Sequence, residues 1–138
     1  MCSSDLQYLP DEFERIVEDV KATGRMFVES EMAILGATHE DIGGVLAERW
    51  NLPLLLREVT QYHHKPSPAR EGYTMSAIVH AADIFVRAMD YGNGGDNKIP
   101  LMSDEVWKDI GLRGVPLQPL LSAIDDEVQK ASALLEFV

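Results

Sequence analysis

The stretch Gly36-Ala37-Thr38-His39-Glu40-Asp41-Ile42-Gly43-Gly44-Val45-Leu46-Ala47-Glu48-Arg49-Trp50-Asn51-Leu52-Pro53 holds a start, a body and a stop for one helix. Thr38 is an N-cap residue, and Asp41 three positions on makes a short-armed version of a capping box. Ile42, Val45, Leu46 and Trp50 recur at helical spacing, which predicts that they form its buried face. Gly43 and Gly44 sit in the middle, each at a cost of about 1 kcal/mol relative to Ala. Either a second helix packs closely against them, or the helix kinks there. Asn51-Leu52-Pro53 breaks the pattern and restarts it, with Pro53 suited to a first helical position.

The same reading extends in both directions. Upstream, Pro10 with Asp11, Glu12 and Glu14 suits a helix start. Phe13, Ile16, Val17 and Val20 then make an amphipathic stripe. Gly24 ends or interrupts this helix, and Phe27 to Leu35 continue an apolar, helix-compatible pattern to Gly36. Downstream, Leu55, Leu56, Val59 and Tyr62 predict a helix that ends at His63-His64. Residues 65–72 hold two prolines and a glycine and read as loop. Thr74 is the expected cap of a long helix with the stripe Ile78, Ala81, Ala82, Phe85 and Met89. Residues 91–100 read as loop, Ser103 starts a short helix ending near Gly111, and Gln118-Pro119 start the last. No alternating strand pattern lies between paired turns. The expectation is an all-α chain of about six or seven helices.

The chain has 138 residues, 23 acidic against 12 basic, for a formal charge of −11. That length predicts one domain. The acids outnumber the bases about equally in both halves, which disfavours nucleic-acid binding and docking on anionic lipid. No apolar run approaches a membrane span. A single cysteine, Cys2, excludes an internal disulfide and a cysteine-rich zinc finger. No secretion signal is visible, so the expected location is cytoplasmic. Residues 1–9 stand outside the periodic pattern. Met1–Leu6 is either an ordinary disordered terminus or the translation of a sequencing-adapter end, and in the second case the chain is a C-terminal piece of a longer protein.

Chemistry centres on the histidines. No phosphate-binding glycine loop, nucleophile elbow or His-Glu-x-x-His helix is present. What remains is His39, His63, His64 and Asp83. Imidazoles and a carboxylate on separate helices can converge on a divalent ion, which could activate water for phosphoester hydrolysis. The bland alternatives are a histidine favoured by a helix C-terminus and an Asp–His ion pair. His80 reads as structural or solvent-facing, and Trp50 and Tyr62 as core.

These residues resemble a known family. The segment His39-x-x-x-Gly43-x-x-Leu46-x-x-x-Trp50-x-Leu52-Pro53, followed by Tyr62-His63-His64 and by Ala77-Ile78-Val79-His80-Ala81-Ala82-Asp83, is similar to the HDOD domain, the HD-related output domain of bacterial signalling proteins. The resemblance spans residues 10–138 and implies an HD-like helical bundle. In the catalytic HD and HD-GYP relatives, His39, His63, His64 and Asp83 would match ligands of a one- or two-metal centre. Those enzymes also need a His-Asp dipeptide, which this chain lacks, as it lacks the Gly-Tyr-Pro loop. The resemblance therefore implies a non-enzymatic signalling module with no catalytic residues, no cofactor and a vestigial metal set. It would act through protein or small-ligand contacts, with a homodimer left open. The alternative is a metal-dependent phosphohydrolase seen in its C-terminal half, using Mn, Fe, Zn or Mg.

Overall fold

The computed structural model describes residues 10–91 and 94–135, and the expectations for residues 1–9 fall outside them. Among the described residues there are seven helices and no strand: α1 Pro10–Thr23, α2 Phe27–Leu35, α3 His39–Arg49, α4 Leu54–Tyr62, α5 Tyr73–Ala88, α6 Asp104–Asp109 and α7 Leu117–Leu135. The all-α expectation holds. The chain divides after Met102 into two packing units, the first with α1 to α5 and the second with α6 and α7.

In the first unit, α1 packs on α2, α3 on α4, and α4 on α5. Ile16 and Val20 of α1 are buried with Phe27 of α2, and Phe13, Val17, Ile34 and Leu35 close around them. Gly24 ends α1 in the left-handed region, at φ 67°. Thr38 caps α3 as its sequence predicts: its hydroxyl accepts the Asp41 N–H, and the Asp41 carboxylate accepts the Thr38 N–H. In the second unit, the Ser103 hydroxyl accepts the Val106 N–H at the start of α6.

The glycine pair resolves in favour of close helix packing. A Cβ on Gly43 would stand 2.6 Å from the Thr60 methyl, and one on Gly44 would stand 3.1 Å from the Gln61 side chain. Helix α4 lies directly against this glycine face, which brings His39 at the head of α3 to the tail of α4.

Several burial expectations fail, each for a physical reason. Val45 and Trp50 are 59% and 69% exposed. The buried face of α3 centres on Ala47 and the glycines, so Val45 points off it. The chain turns at Asn51, φ 53°, so helical projection no longer describes Trp50. In α4 the three leucines Leu54, Leu55 and Leu56 are exposed and Glu58 is buried. Its carboxylate accepts the Arg70 and Gly72 N–H groups at the head of α5, a use that outweighs burying a leucine there. Helix α5 begins at Tyr73 after Gly72, not at a Thr74 cap. Its buried face runs Ala77, His80, Ala81, Ile84 and Phe85, while Ile78 is exposed. Apolar residues surround most of α5, so hydropathy did not single out the face that packs.

Gly43→Ala should lower stability, because the added methyl meets a Thr60 side chain already held by its hydroxyl bond to the Leu56 carbonyl. Overpacking of this kind costs about 1–3 kcal/mol. Urea unfolding of Gly43→Ala alone and with Thr60→Ser measures it, and the second change should restore most of the loss.

Candidate metal centre

His39 is the first residue of α3, while His63 caps the end of α4 with His64 following. The close packing at Gly43 and Gly44 sets these ends together. The His39 Nε2 lies 3.4 Å from the His63 Nε2 and 3.0 Å from the His64 Nε2. One ring nitrogen from each of the three falls within 4.8 Å of the others. Asp83 lies outside that set, with its Oδ2 3.8 Å from the opposite nitrogen of His64, Nδ1.

The backs of the rings explain their orientation. Glu31, buried on α2, accepts from the His39 Nδ1 at 2.8 Å and from the His39 backbone N–H at 3.1 Å. The Thr60 carbonyl accepts from the His63 Nδ1 at 2.9 Å. A carbonyl and a carboxylate require a donor, so these two Nδ1 atoms carry protons. In the neutral rings, each Nε2 then presents a lone pair. Two lone pairs facing each other at 3.4 Å do not form a hydrogen bond, so a proton or a cation between them would relieve the approach, while at 3.0 Å the His64 Nε2 is placed to donate to the His39 Nε2. The backing of His39 and His63 is that of metal-bound imidazoles, whose far nitrogen donates to a carboxylate or carbonyl. Behind His64, the corresponding acceptor is Asp83, at a distance too long for a hydrogen bond. Asp83 Oδ2 is buried and accepts no hydrogen bond.

Other residues seat this cluster. The Glu40 carboxylate accepts the His64 backbone N–H, and the buried His80 donates from Nδ1 to the His63 carbonyl. His80 is thus structural and not solvent-facing. A cavity of about 350 Å³ opens beside the imidazoles, with Arg87 and Asp96 on its wall and Phe13, Phe27 and Pro100 at its apolar side. Asp96 accepts from the Phe27 and Lys98 N–H groups and from Arg87. Burial alone would raise its carboxyl pKa, but these donors outweigh burial and hold it below the usual range. Glu31, Asp83 and Asp96 face one guanidinium, so the cavity carries excess negative charge suited to a cation.

Glu31, Arg87 and Asp96 were missed by sequence reasoning. Glu31 had a signal: it falls on the buried face of α2 with Phe27 and Ser30, where a charge needs a partner. Arg87 stands one turn after Asp83. Asp96 lay in a loop with no such mark.

Comparison with known proteins follows the same lines. The HDOD domain family matches residues 5–66. The fold is similar to the crystal structure of an HDOD domain protein with unknown function from Geobacter sulfurreducens, at 25% identity and a TM-score of 0.67. That likeness covers 88% of this chain and 44% of the other. The chain is therefore similar to the HDOD family in sequence over residues 5–66 and in fold over most of its length. It spans less than half the length of that structure. No curated protein matches the chain. No helix among the described residues is long and apolar enough to cross a membrane.

Burial, and then the nearby charges of His63, His39, Arg87 and His80, push the His64 pKa down from 6.5 to about 3. The unfolded chain takes up this proton near 6.5 and the folded chain near 3, so acidification across that window favours unfolding. In metal-free protein, the stability that a neutral His64 contributes should be full above about pH 6.5 and fall toward pH 3. Denaturation at a series of pH values checks this, and His64→Asn should flatten the dependence.

Proposed function

We propose that this chain is a non-enzymatic HDOD regulatory module that holds a divalent cation through the Nε2 atoms of His39, His63 and His64. The observation that carries the reading is the convergence of these nitrogens at 3.0 and 3.4 Å while the far sides of two rings donate to Glu31 and Thr60. Three imidazoles without a first-sphere carboxylate suit a borderline ion such as zinc better than magnesium, manganese or calcium. Bound there, the ion would act as a Lewis acid with an open position toward the cavity.

The module reads as a sensor and not a hydrolase because the cavity carboxylates have other work. Glu31 orients His39, Asp96 holds Arg87 and the Phe27 and Lys98 amides, and Asp83 is shared between His64 and Arg87. Only Asp83 keeps an oxygen that accepts no hydrogen bond, and that oxygen faces the far nitrogen of His64 and not the converging Nε2 atoms. The family resemblance supports a bacterial signalling role in the cytoplasm, with occupancy of the site passed to partner proteins. The second reading, a metal-dependent phosphohydrolase, draws on the cavity of about 350 Å³ beside the imidazoles.

Purified metal-free protein should take up zinc at one equivalent by calorimetry. His39→Ala should abolish that uptake, and Glu31→Gln should weaken it on the order of 10–100-fold. Turnover of a phosphodiester by the loaded protein would decide for the second reading. Failure of zinc to bind would end the cation-holding reading.

A further inference from the structure

Arg87 stands between two carboxylates that do different jobs. Its Nη1 is 3.8 Å from Asp83 Oδ2, and its Nη2 donates to Asp96 Oδ1. Asp83 Oδ2 is in turn 3.8 Å from the His64 Nδ1 and accepts no hydrogen bond from either neighbour. Of the three imidazoles, His39 and His63 have a close acceptor behind them, at 2.8 and 2.9 Å, and His64 has one held a full ångström further off. Asp96 is nearly inaccessible, and it also ties its own segment to the head of α2 through the Phe27 N–H, 69 residues away in sequence.

We propose that Arg87 is a positioning residue that sets cation affinity by competing with His64 for Asp83, and that Asp96 governs that competition by drawing Arg87 away. The inference rests on the cation-holding reading above. Freed from Arg87, the Asp83 carboxylate closes on the His64 Nδ1 and completes the third imidazole–acceptor pair. That pair fixes the ring with Nε2 forward and raises its basicity as a ligand. When Asp96 loses its charge, Arg87 turns wholly to Asp83 and pulls it from His64. The segment carrying Asp96 is thereby coupled to the site, and the coupling is reciprocal: a bound cation favours Asp83 on His64 and Arg87 on Asp96.

This mechanism gives opposite signs for two substitutions that would both merely destabilise a structural ion pair. Zinc affinity is read by competition with a chromophoric chelator, with thermal melting of the metal-free proteins as the folding check. Arg87→Gln should bind zinc roughly tenfold more tightly and Asp96→Asn roughly tenfold more weakly, in the range that such outer partners command. The double variant Arg87→Gln/Asp96→Asn, which leaves no unpaired Asp96 charge behind, should follow Arg87→Gln and serves if the single variant does not fold. In an Asp83→Asn background the Arg87→Gln gain should vanish. A gain that persists there is a long-range charge effect and overturns the proposal, as does equal weakening by both single variants. If the wild-type chain binds no zinc while Arg87→Gln does, the competition stands and the cation-holding reading of the wild type falls. If neither binds, both fall.

Discussion

Helix α3 can lie against α4 because Gly43 and Gly44 present no side chain to Thr60 and Gln61. Each glycine weakens its own helix by about 1 kcal/mol relative to alanine. What the pair gains is proximity: the head of one helix meets the tail of the next, and three imidazoles from two short segments come within reach of one another. A methyl at Gly43 would collide with the Thr60 side chain and force α3 and α4 to shift where they hold His39 beside His63 and His64.

Proximity alone would leave three rings free to rotate. The acceptors behind them decide which nitrogen faces inward. Glu31 comes from α2 and the Thr60 carbonyl from the last turn of α4, whose backbone acceptors are no longer all used within the helix. With Nδ1 committed on His39 and His63, their Nε2 atoms carry lone pairs that face each other and the Nε2 of His64, which at 3.0 Å is within hydrogen-bond distance of the His39 Nε2. Asp83 belongs to the same outer layer. The catalytic resemblance casts it as a ligand, but here it stands on the far nitrogen of His64 and is divided between that ring and Arg87.

The charge balance follows from these commitments. Three carboxylates border the cavity and one guanidinium answers them, so positive charge is attracted before any ligand is named. Glu31 and Asp96 are engaged by hydrogen bonds, while Asp83 stands 3.8 Å from both His64 and Arg87 with its Oδ2 accepting none. The surrounding unit is built to keep this geometry: His80 holds the His63 carbonyl, Glu40 the His64 amide, and Asp96 the head of α2.

The all-α class, the Thr38 cap and the break at residues 51–53 were legible from local rules, because caps, periodicity and helix-breaking residues act within a few positions of themselves. The residue types themselves suggested His39, His63, His64 and Asp83 as a metal set, and the family resemblance matched the same four to metal ligands. Which faces are buried was less legible: Trp50, Leu55, Leu56 and Ile78 are exposed, and Glu58 and His80 are inside. Apolar residues ring α5 and crowd α4, so hydropathy left the choice to the packing at small residues and to the backbone groups that Glu58 and His80 satisfy. Ring orientation, the outer position of Asp83, and the sharing of Arg87 with Asp96 depend on contacts between residues far apart in the chain. Tertiary structure alone decided those, since a hydrogen bond across 69 residues leaves no local pattern to read.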